Sequence, residues 1–249
     1  MAIRKETGII IQSKDIGDSD RLISLAGESQ IRMNFISKGI RKSKRRAIIS
    51  TEIGCLVEVD FYDQAEKDWK STKEIHLIKR FDELKSDYIG TLFVLYMTEL
   101  TSQLYPEGEN HPFLFQLLSG SLETSNTNGF RKEILPFFKI RALTHMGHFP
   151  TEFYCHTCGE EVLTKSKAYF SVDSREFLCS DCHPISKDHL PVLKLFHTML
   201  SKKFSNVLSI FPREFEYKEG DMMLNQFIRS LFGKELKSYF EFYRMIGDL

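Results

Sequence analysis

Residues 55–62 read Cys55-Leu56-Val57-Glu58-Val59-Asp60-Phe61-Tyr62. Cys55, Val57, Val59 and Phe61 share one side of a period-two repeat, and Glu58, Asp60 and Tyr62 share the other, as in a β-strand with one buried face. Upstream of it, residues 7–12 form a β-branched run and residues 21–26 a second. In a third, Ile31, Met33 and Phe35 alternate with Arg32 and Asn34. Gly17-Asp18-Ser19-Asp20 and Gly27-Glu28-Ser29 supply turn chemistry between these runs. Downstream, residues 75–78 make a fifth strand. Five short strands in about eighty residues, with a basic connection between the third and the fourth, fit a small closed barrel of the OB-fold kind.

After Phe81 the apolar spacing becomes helical. Leu92, Leu95, Tyr96 and Leu100 predict a helix ending near Tyr105-Pro106, because the residue before proline disfavours the α region. Pro112 is placed to begin another helix through Phe115, Leu118 and Leu122. Ser125-Asn126-Thr127-Asn128-Gly129 reads as a loop. A third helix is expected over residues 130–146, stopped by Gly147, with Pro136 kinking it or marking its start. Residues 187–247 predict two or three amphipathic helices broken at Phe211-Pro212 and Gly233. The expected class is α+β: an OB-fold domain over residues 1–80, then an α-helical domain over 81–249 with a cysteine module inserted at about residues 153–184.

The chain has 34 basic and 34 acidic side chains, yet they are unevenly placed. Residues 1–80 carry 16 basic and 12 acidic groups, a net of +4, and the remainder carries 18 against 22. Lys38, Arg41, Lys42, Lys44, Arg45 and Arg46 fall within nine residues, and no acidic residue occurs between Ser29 and Thr51. A concentrated basic segment in a neutral chain points to a polyanion-facing surface; a solvated loop is the plainer alternative. Arg21 and Arg32, with Arg4 and Lys5, could extend such a track. Phe35, Phe61, Tyr62 and Trp69 are candidates to stack on bases, although an aromatic in a strand is more often core. The longest apolar stretch, near Leu92, is far short of the about 20 residues that cross a bilayer, and no secretory signal is visible, so a cytoplasmic location is expected.

Four of the five cysteines form Cys155-His156-Thr157-Cys158 and, after twenty residues, Cys179-Ser180-Asp181-Cys182. Two residues between cysteines let a tight turn aim both thiolates at one ion, and two such turns satisfy a tetrahedral centre. The alternatives are a disulfide pair, an iron–sulfur cluster or a redox pair. Cytosolic thiols are kept reduced, and the spacing is that of a zinc ribbon, so one zinc ion on Cys155, Cys158, Cys179 and Cys182 is expected. With four cysteine ligands no position stays open for a reactive water, so the ion would be structural. His156 and His183 read as neighbours of the centre, residues 168–172 and 176–178 as a hairpin bringing the second turn onto the first, and Cys55 as a small apolar strand residue.

Signals for catalysis are absent. No phosphate-loop pattern appears, nor the zinc-protease, serine-hydrolase or dinucleotide-binding patterns. The chain is therefore read as a non-enzymatic binding protein. The rivals are a zinc-ribbon transcription regulator, for which no recognition helix is evident, and a metal-dependent nuclease using carboxylates that no local pattern pairs.

Glu6-Thr7-Gly8-Ile9-Ile10, Gly17-Asp18-Ser19-Asp20-Arg21-Leu22 and Ser37-Lys38-Gly39-Ile40-Arg41-Lys42-Ser43-Lys44-Arg45 resemble the successive blocks that open RecO proteins. Tyr96-Met97-Thr98-Glu99-Leu100, Phe113-Leu114-Phe115-Gln116-Leu117-Leu118, Gly147-His148-Phe149-Pro150, the cysteine pairs and Leu236-Lys237-Ser238 follow in the family's order. The resemblance spans nearly the whole chain. It implies an OB-fold, a helical domain carrying a zinc module, binding of single- and double-stranded DNA, annealing of complementary strands, and work with RecR and the single-stranded-DNA-binding protein to load RecA, nucleoid-associated during repair. It also implies that the binding protein's acidic, apolar C-terminal tail docks on the helical domain, where Arg131, Lys132, Lys139 and Arg141 lie beside Ile134, Phe138 and Leu143. Many zinc-bearing members have glycines just before the third cysteine; this chain has Ser174-Arg175-Glu176-Phe177-Leu178.

Overall fold

Ile3–Ile16 forms one long strand, β1, which pairs antiparallel with β2 (Asp20–Gly27) through its second half and with β4 (Leu56–Tyr62) through its first. β2 continues to β3 (Arg32–Ser37), and β5 (Trp69–Lys79) joins β3 in parallel and β4 antiparallel. The order β1-β2-β3-β5-β4 closes on itself, giving the five-stranded barrel the strand pattern predicts. The chain is described here from a computed structural model covering residues 2–29, 32–43, 48–63, 68–105, 112–203 and 214–247. Ile31, Lys44, Arg45, Arg46, Pro106 and Phe211-Pro212, invoked above, lie outside the described residues.

The inward side of the quoted stretch is the barrel's core: Cys55, Val57, Val59 and Phe61 pack with Ile10, Ile23, Leu25 and Phe35. Phe35 and Phe61 meet at 5.3 Å between ring centres. β5 begins six residues before the expected run. Its outer positions are exposed and its first half, Trp69-Lys70-Ser71-Thr72-Lys73-Glu74, carries no apolar alternation, so backbone pairing defines it where hydrophobicity does not.

Two compact units are present, Met1–Phe130 with Leu236–Leu249, and Arg131–Glu235. In the first, α1 (Tyr88–Leu104) is capped by Asp87, whose carboxylate accepts from the Gly90 amide at 2.6 Å. Gln12 Nε2 donates to Ser102 Oγ at 2.8 Å, joining α1 to the barrel. The last helix, α6 (Tyr239–Ile246), lays Phe242 and Tyr243 against Tyr96. Glu99 fixes its entry, accepting from the Lys237 amide (2.8 Å) and from the Ser238 amide and hydroxyl (2.9 and 2.6 Å). A carboxylate here satisfies amides that a helix start leaves unpaired. The expected loop at 125–129 is in fact the last turn of α2 (Pro112–Asn128). Ser121 and Ser125 are fully buried, Asn126 Oδ1 accepts from the Leu84 amide at 3.1 Å, and the helix stops only at Gly129, φ 76°.

In the second unit, α3 (Ile134–His145) starts four residues later than expected. Pro136 sits in its first turn, where a missing N–H costs no intrahelical bond. α4 (Leu190–Ser201) and α5 (Glu214–Phe232) complete the helices. β6 (Ala168–Ser171) and β7 (Glu176–Cys179) form the expected hairpin. Arg175 adopts φ 59° in its turn, the left-handed geometry that glycine would take more easily. Phe170 and Phe177 of this hairpin pack with Phe149, Phe149 reaches Phe196 of α4, and Phe170 reaches Phe227 of α5. The cysteine module is thus part of the unit's aromatic core.

Candidate nucleic-acid interface and four-cysteine centre

The exit of β3 is clamped to the β1–β2 turn. Asp20 accepts from the Gly39 amide at 2.8 Å and from the Ser19 hydroxyl at 2.7 Å, and the Arg41 amide donates to Ser19 O at 3.0 Å. The Gly39 amide, then the Ser19 hydroxyl, hold the Asp20 carboxyl below its ordinary range, so the clamp stays charged. Gly39, at φ 63°, turns the chain into a short 3-10 turn over Ile40–Lys42, and Ile40 is buried beneath it. Lys38, Arg41 and Lys42 are consequently exposed on one anchored connection. Arg41 also donates to Gly17 O at 3.0 Å and lies 3.3 Å from Asp15. Lys44, Arg45 and Arg46 continue this segment outside the described residues.

The other cations expected on the track are differently placed. Arg21 donates to Asp15 at 2.7 Å and to Thr51 Oγ1 at 2.9 Å, and its hydrogen bond draws the Asp15 carboxyl below its ordinary range. Arg32 donates to Ser102 O (3.0 Å), Tyr105 O (3.3 Å) and Gln12 Oε1 (3.1 Å), tying the barrel to α1. Arg4 and Lys5 pair with Asp63 and Glu58 at 2.8 and 2.6 Å. Of the candidate stacking aromatics, Phe35 and Phe61 are barrel core, while Tyr62 is half-buried and Trp69 exposed. Sequence reasoning missed Asp20, whose carboxylate anchors the basic connection, and Asp15, which pairs with one of its cations, Arg41. The signal was an acidic turn preceding a segment without any acid.

The four cysteine sulfurs converge with every pair within 4.8 Å, and Cys158 and Cys179 are 3.7 Å apart. Four sulfurs about 2.3 Å from one ion in a tetrahedron stand about 3.8 Å from one another, so this donor set fits a metal ion. Gly159, at φ 72°, closes the first turn. Burial opposes ionisation of Cys155, but backbone amides of Cys158, Thr157 and Cys179 outweigh it and draw its pKa down to about 6. Hydrogen bonds with Cys158 and Cys179, with burial, push Cys182 up to about 12. One thiolate forms readily and the last resists, as expected where a dication would balance the charge. His183 bonds Thr157 Oγ1 at 2.7 Å and His156 lies 3.3 Å from Glu176, so both neighbour the centre and neither enters it.

A second cluster, Glu58, Asp60 and His76, lies on the barrel's outer face. Lys5 stands 2.6 Å from Glu58 and 3.5 Å from Asp60, already supplying positive charge there.

The residues expected to receive a partner's tail are corrected by burial. Lys139 is fully buried, donating to Asp221 at 2.6 Å and Asn225 at 2.7 Å. Ile134, Phe138 and Leu143 are core. Arg141 stacks on Phe137 and donates to the Met199 and Lys202 carbonyls, capping the end of α4. Only Arg131 and Lys132 of this set precede the helix on its partly exposed approach. No helix among the described residues is long and apolar enough to cross a membrane.

Two family models match the chain: Recombination protein O N terminal over residues 1–81, and Recombination protein O C terminal over residues 85–240. The DNA repair protein RecO of Leptospira biflexa serovar Patoc is 89% identical over 249 residues, covering 100% of both chains. The protein of that name from Syntrophobacter fumaroxidans is 28% identical over 187 residues, covering 75% of this chain and 74% of its own. Its counterpart in Acetivibrio thermocellus is 27% identical over 210 residues, covering 82% of each.

Proposed function

The chain belongs to the RecO family of DNA-repair recombination proteins, and from that premise we propose that it is a recombination mediator that binds DNA through the basic connection leaving β3. Single and double strands are held by their phosphates, complementary strands are annealed, and with RecR the protein promotes RecA loading onto strands coated by the single-stranded-DNA-binding protein. The supporting observation is the anchored, exposed set Lys38, Arg41 and Lys42 at the start of a six-cation segment. Annealing forms no covalent bond. It requires that two phosphate backbones be neutralised at once, which a basic barrel face supplies. Arg21 contributes by holding Asp15, and Arg32 by fixing the barrel to α1, each as a positioning residue. The barrel of residues 1–80 is then the DNA-binding domain.

In the second unit, Cys155, Cys158, Cys179 and Cys182 would hold one zinc ion, which supplies a structural cross-link when bound. The Cys158 and Cys179 turns present their sulfurs from the same module whose hairpin lies in the aromatic core, so a metal held there would stabilise helices as well as loops. The binding protein's acidic tail would meet Arg131 and Lys132. The test is a strand-annealing assay with complementary labelled oligonucleotides: acceleration by the purified protein, lost when Lys38, Arg41 and Lys42 are replaced by alanine, is expected. Equal rates with and without protein would end this reading.

A further inference from the structure

A cleft of about 650 Å³ opens in the first unit beside the end of β1, within the range of about 300–1,000 Å³ that encloses a small organic ligand. Ile53, Val94 and Leu95 give it an apolar lining, and Leu95 keeps 37% of its surface exposed. Lys14, Arg21, Arg80 and Lys85 line it as well, against two carboxylates, Asp15 and Glu52. Those carboxylates are taken: Asp15 holds Arg21 at 2.7 Å, and Glu52 lies 3.4 Å from Arg80. The Lys85 ammonium donates to neutral groups, Ile53 O at 3.0 Å and the Cys55 sulfur at 3.9 Å, while Glu52, the nearby carboxylate of the cleft, is itself paired with Arg80. Burial lowers its pKa, so a neighbouring anion would relieve an unfavourable charge. Lys14 is exposed at the same cleft.

The cleft is tied to the basic connection through a shared side chain. One carboxylate, Asp15, bridges Arg21 in the cleft wall and Arg41 in the 3-10 turn, at 2.7 and 3.3 Å. An apolar lining ringed by excess cations matches a flat base carrying a phosphate. A duplex keeps its base faces stacked inside and cannot offer one. We propose that this cleft takes one or two nucleotides of a single strand, with a base against Leu95 and Ile53 and phosphates on Lys14 and Lys85, as the strand leaves the basic connection. The inference rests on the DNA-binding reading of the barrel and adds a single-strand subsite to it.

The experiment places an indole in the cleft. Trp69 is the only tryptophan, so Leu95→Trp in a Trp69→Phe background reports on the cleft alone. Titration of the full-length protein with oligothymidine is expected to quench this fluorescence saturably, in step with binding measured by anisotropy, while a duplex of equal length binds without quenching. Independently, Lys14→Glu is expected to weaken oligothymidine binding by about fivefold or more and flatten its salt slope by about 0.7, with duplex affinity within about twofold of wild type. Lys194→Glu on α4 controls for net charge. Oligothymidine that binds without quenching, quenching by duplex as strong as by single strand, or equal losses for both from Lys14→Glu would each overturn the cleft while leaving the basic connection as the DNA site. Failure of the wild-type protein to bind either DNA would instead overturn the reading on which the cleft rests.

Discussion

Replacing Arg41, Lys42, Arg45 and Arg46 by alanine should change the salt dependence of DNA binding more than any other property. Each phosphate neutralised on a single strand contributes about −0.7 to the slope of log K against log salt, so four to six contacts give a slope of roughly −3 to −4. Removing four cations flattens it by about 3. The structure adds two further expectations. Arg41 is shared with Asp15 at 3.3 Å, so Asp15→Asn removes a competitor for the guanidinium and should tighten binding at each salt concentration. Asp20→Ala frees the Gly39 amide from its 2.8 Å anchor while leaving every cation in place. It should weaken binding by an offset with the slope kept, since the same phosphates are met by a less ordered connection. Anisotropy titrations from about 50 to 300 mM salt, a span over which multiple phosphate contacts change affinity by orders of magnitude, read all three variants. Parallel lines for wild type and the quadruple variant would refute the phosphate-track reasoning. Sequence preference should be unaltered throughout, because phosphate contacts carry no direct base information.

Elemental analysis should find about one zinc per chain, and Cys158→Ser should abolish it and lower the melting temperature of the helical unit. Zinc affinity should fall with pH. Cys182, at about 12, must lose a proton on metal binding at neutral pH, and below about 6 protons also compete for Cys155, so the decline steepens there; an affinity unchanged between pH 8 and 5 would contradict this. Lys139→Met should destabilise the protein by about 3–5 kcal/mol in urea unfolding by leaving Asp221 buried without its cation, and Lys139→Met/Asp221→Leu should recover most of the loss. Arg131→Glu/Lys132→Glu should weaken binding of an acidic, apolar tail peptide in fluorescence titrations without changing urea stability; unchanged affinity places the tail elsewhere.

What was legible in the sequence follows from what periodicity records. β4 shows alternation because one side faces a sealed core and the other faces water. The cysteine pairs declare themselves because ligand spacing is set locally by two tight turns, even with Arg175 at a left-handed position of the hairpin between them. The first half of β5 escaped, though residues 75–78 were legible, because Trp69 to Glu74 carry no apolar alternation and hydrogen bonds to β3 and β4 leave no hydrophobic trace. The last turn of α2 escaped because serine and asparagine read as loop formers. Burial of Ser125 and the Asn126–Leu84 hydrogen bond, which decide the matter, come from chain segments far apart in sequence.

Charge is where a one-dimensional reading misleads most. Lys139 and Lys42 are the same residue type, yet the first is enclosed with Asp221 and Asn225 and the second is exposed on an anchored turn. A lysine carried inward needs an acid to meet it, and that acid lies 82 positions away on another helix. By contrast, the acid-free run at residues 29–51 contains no partner of its own, so its cations are either exposed or met from outside. The structure shows both: Arg41 is met by Asp15 while Lys42 stays exposed. Partial pairing of this kind suits annealing. A guanidinium already held by a carboxylate exchanges one anion for another at low cost, so in the proposed annealing a phosphate on Arg41 would be gripped weakly and reversibly. Two strands could then slide into register before either is released, which a set of tight, fully committed contacts would prevent.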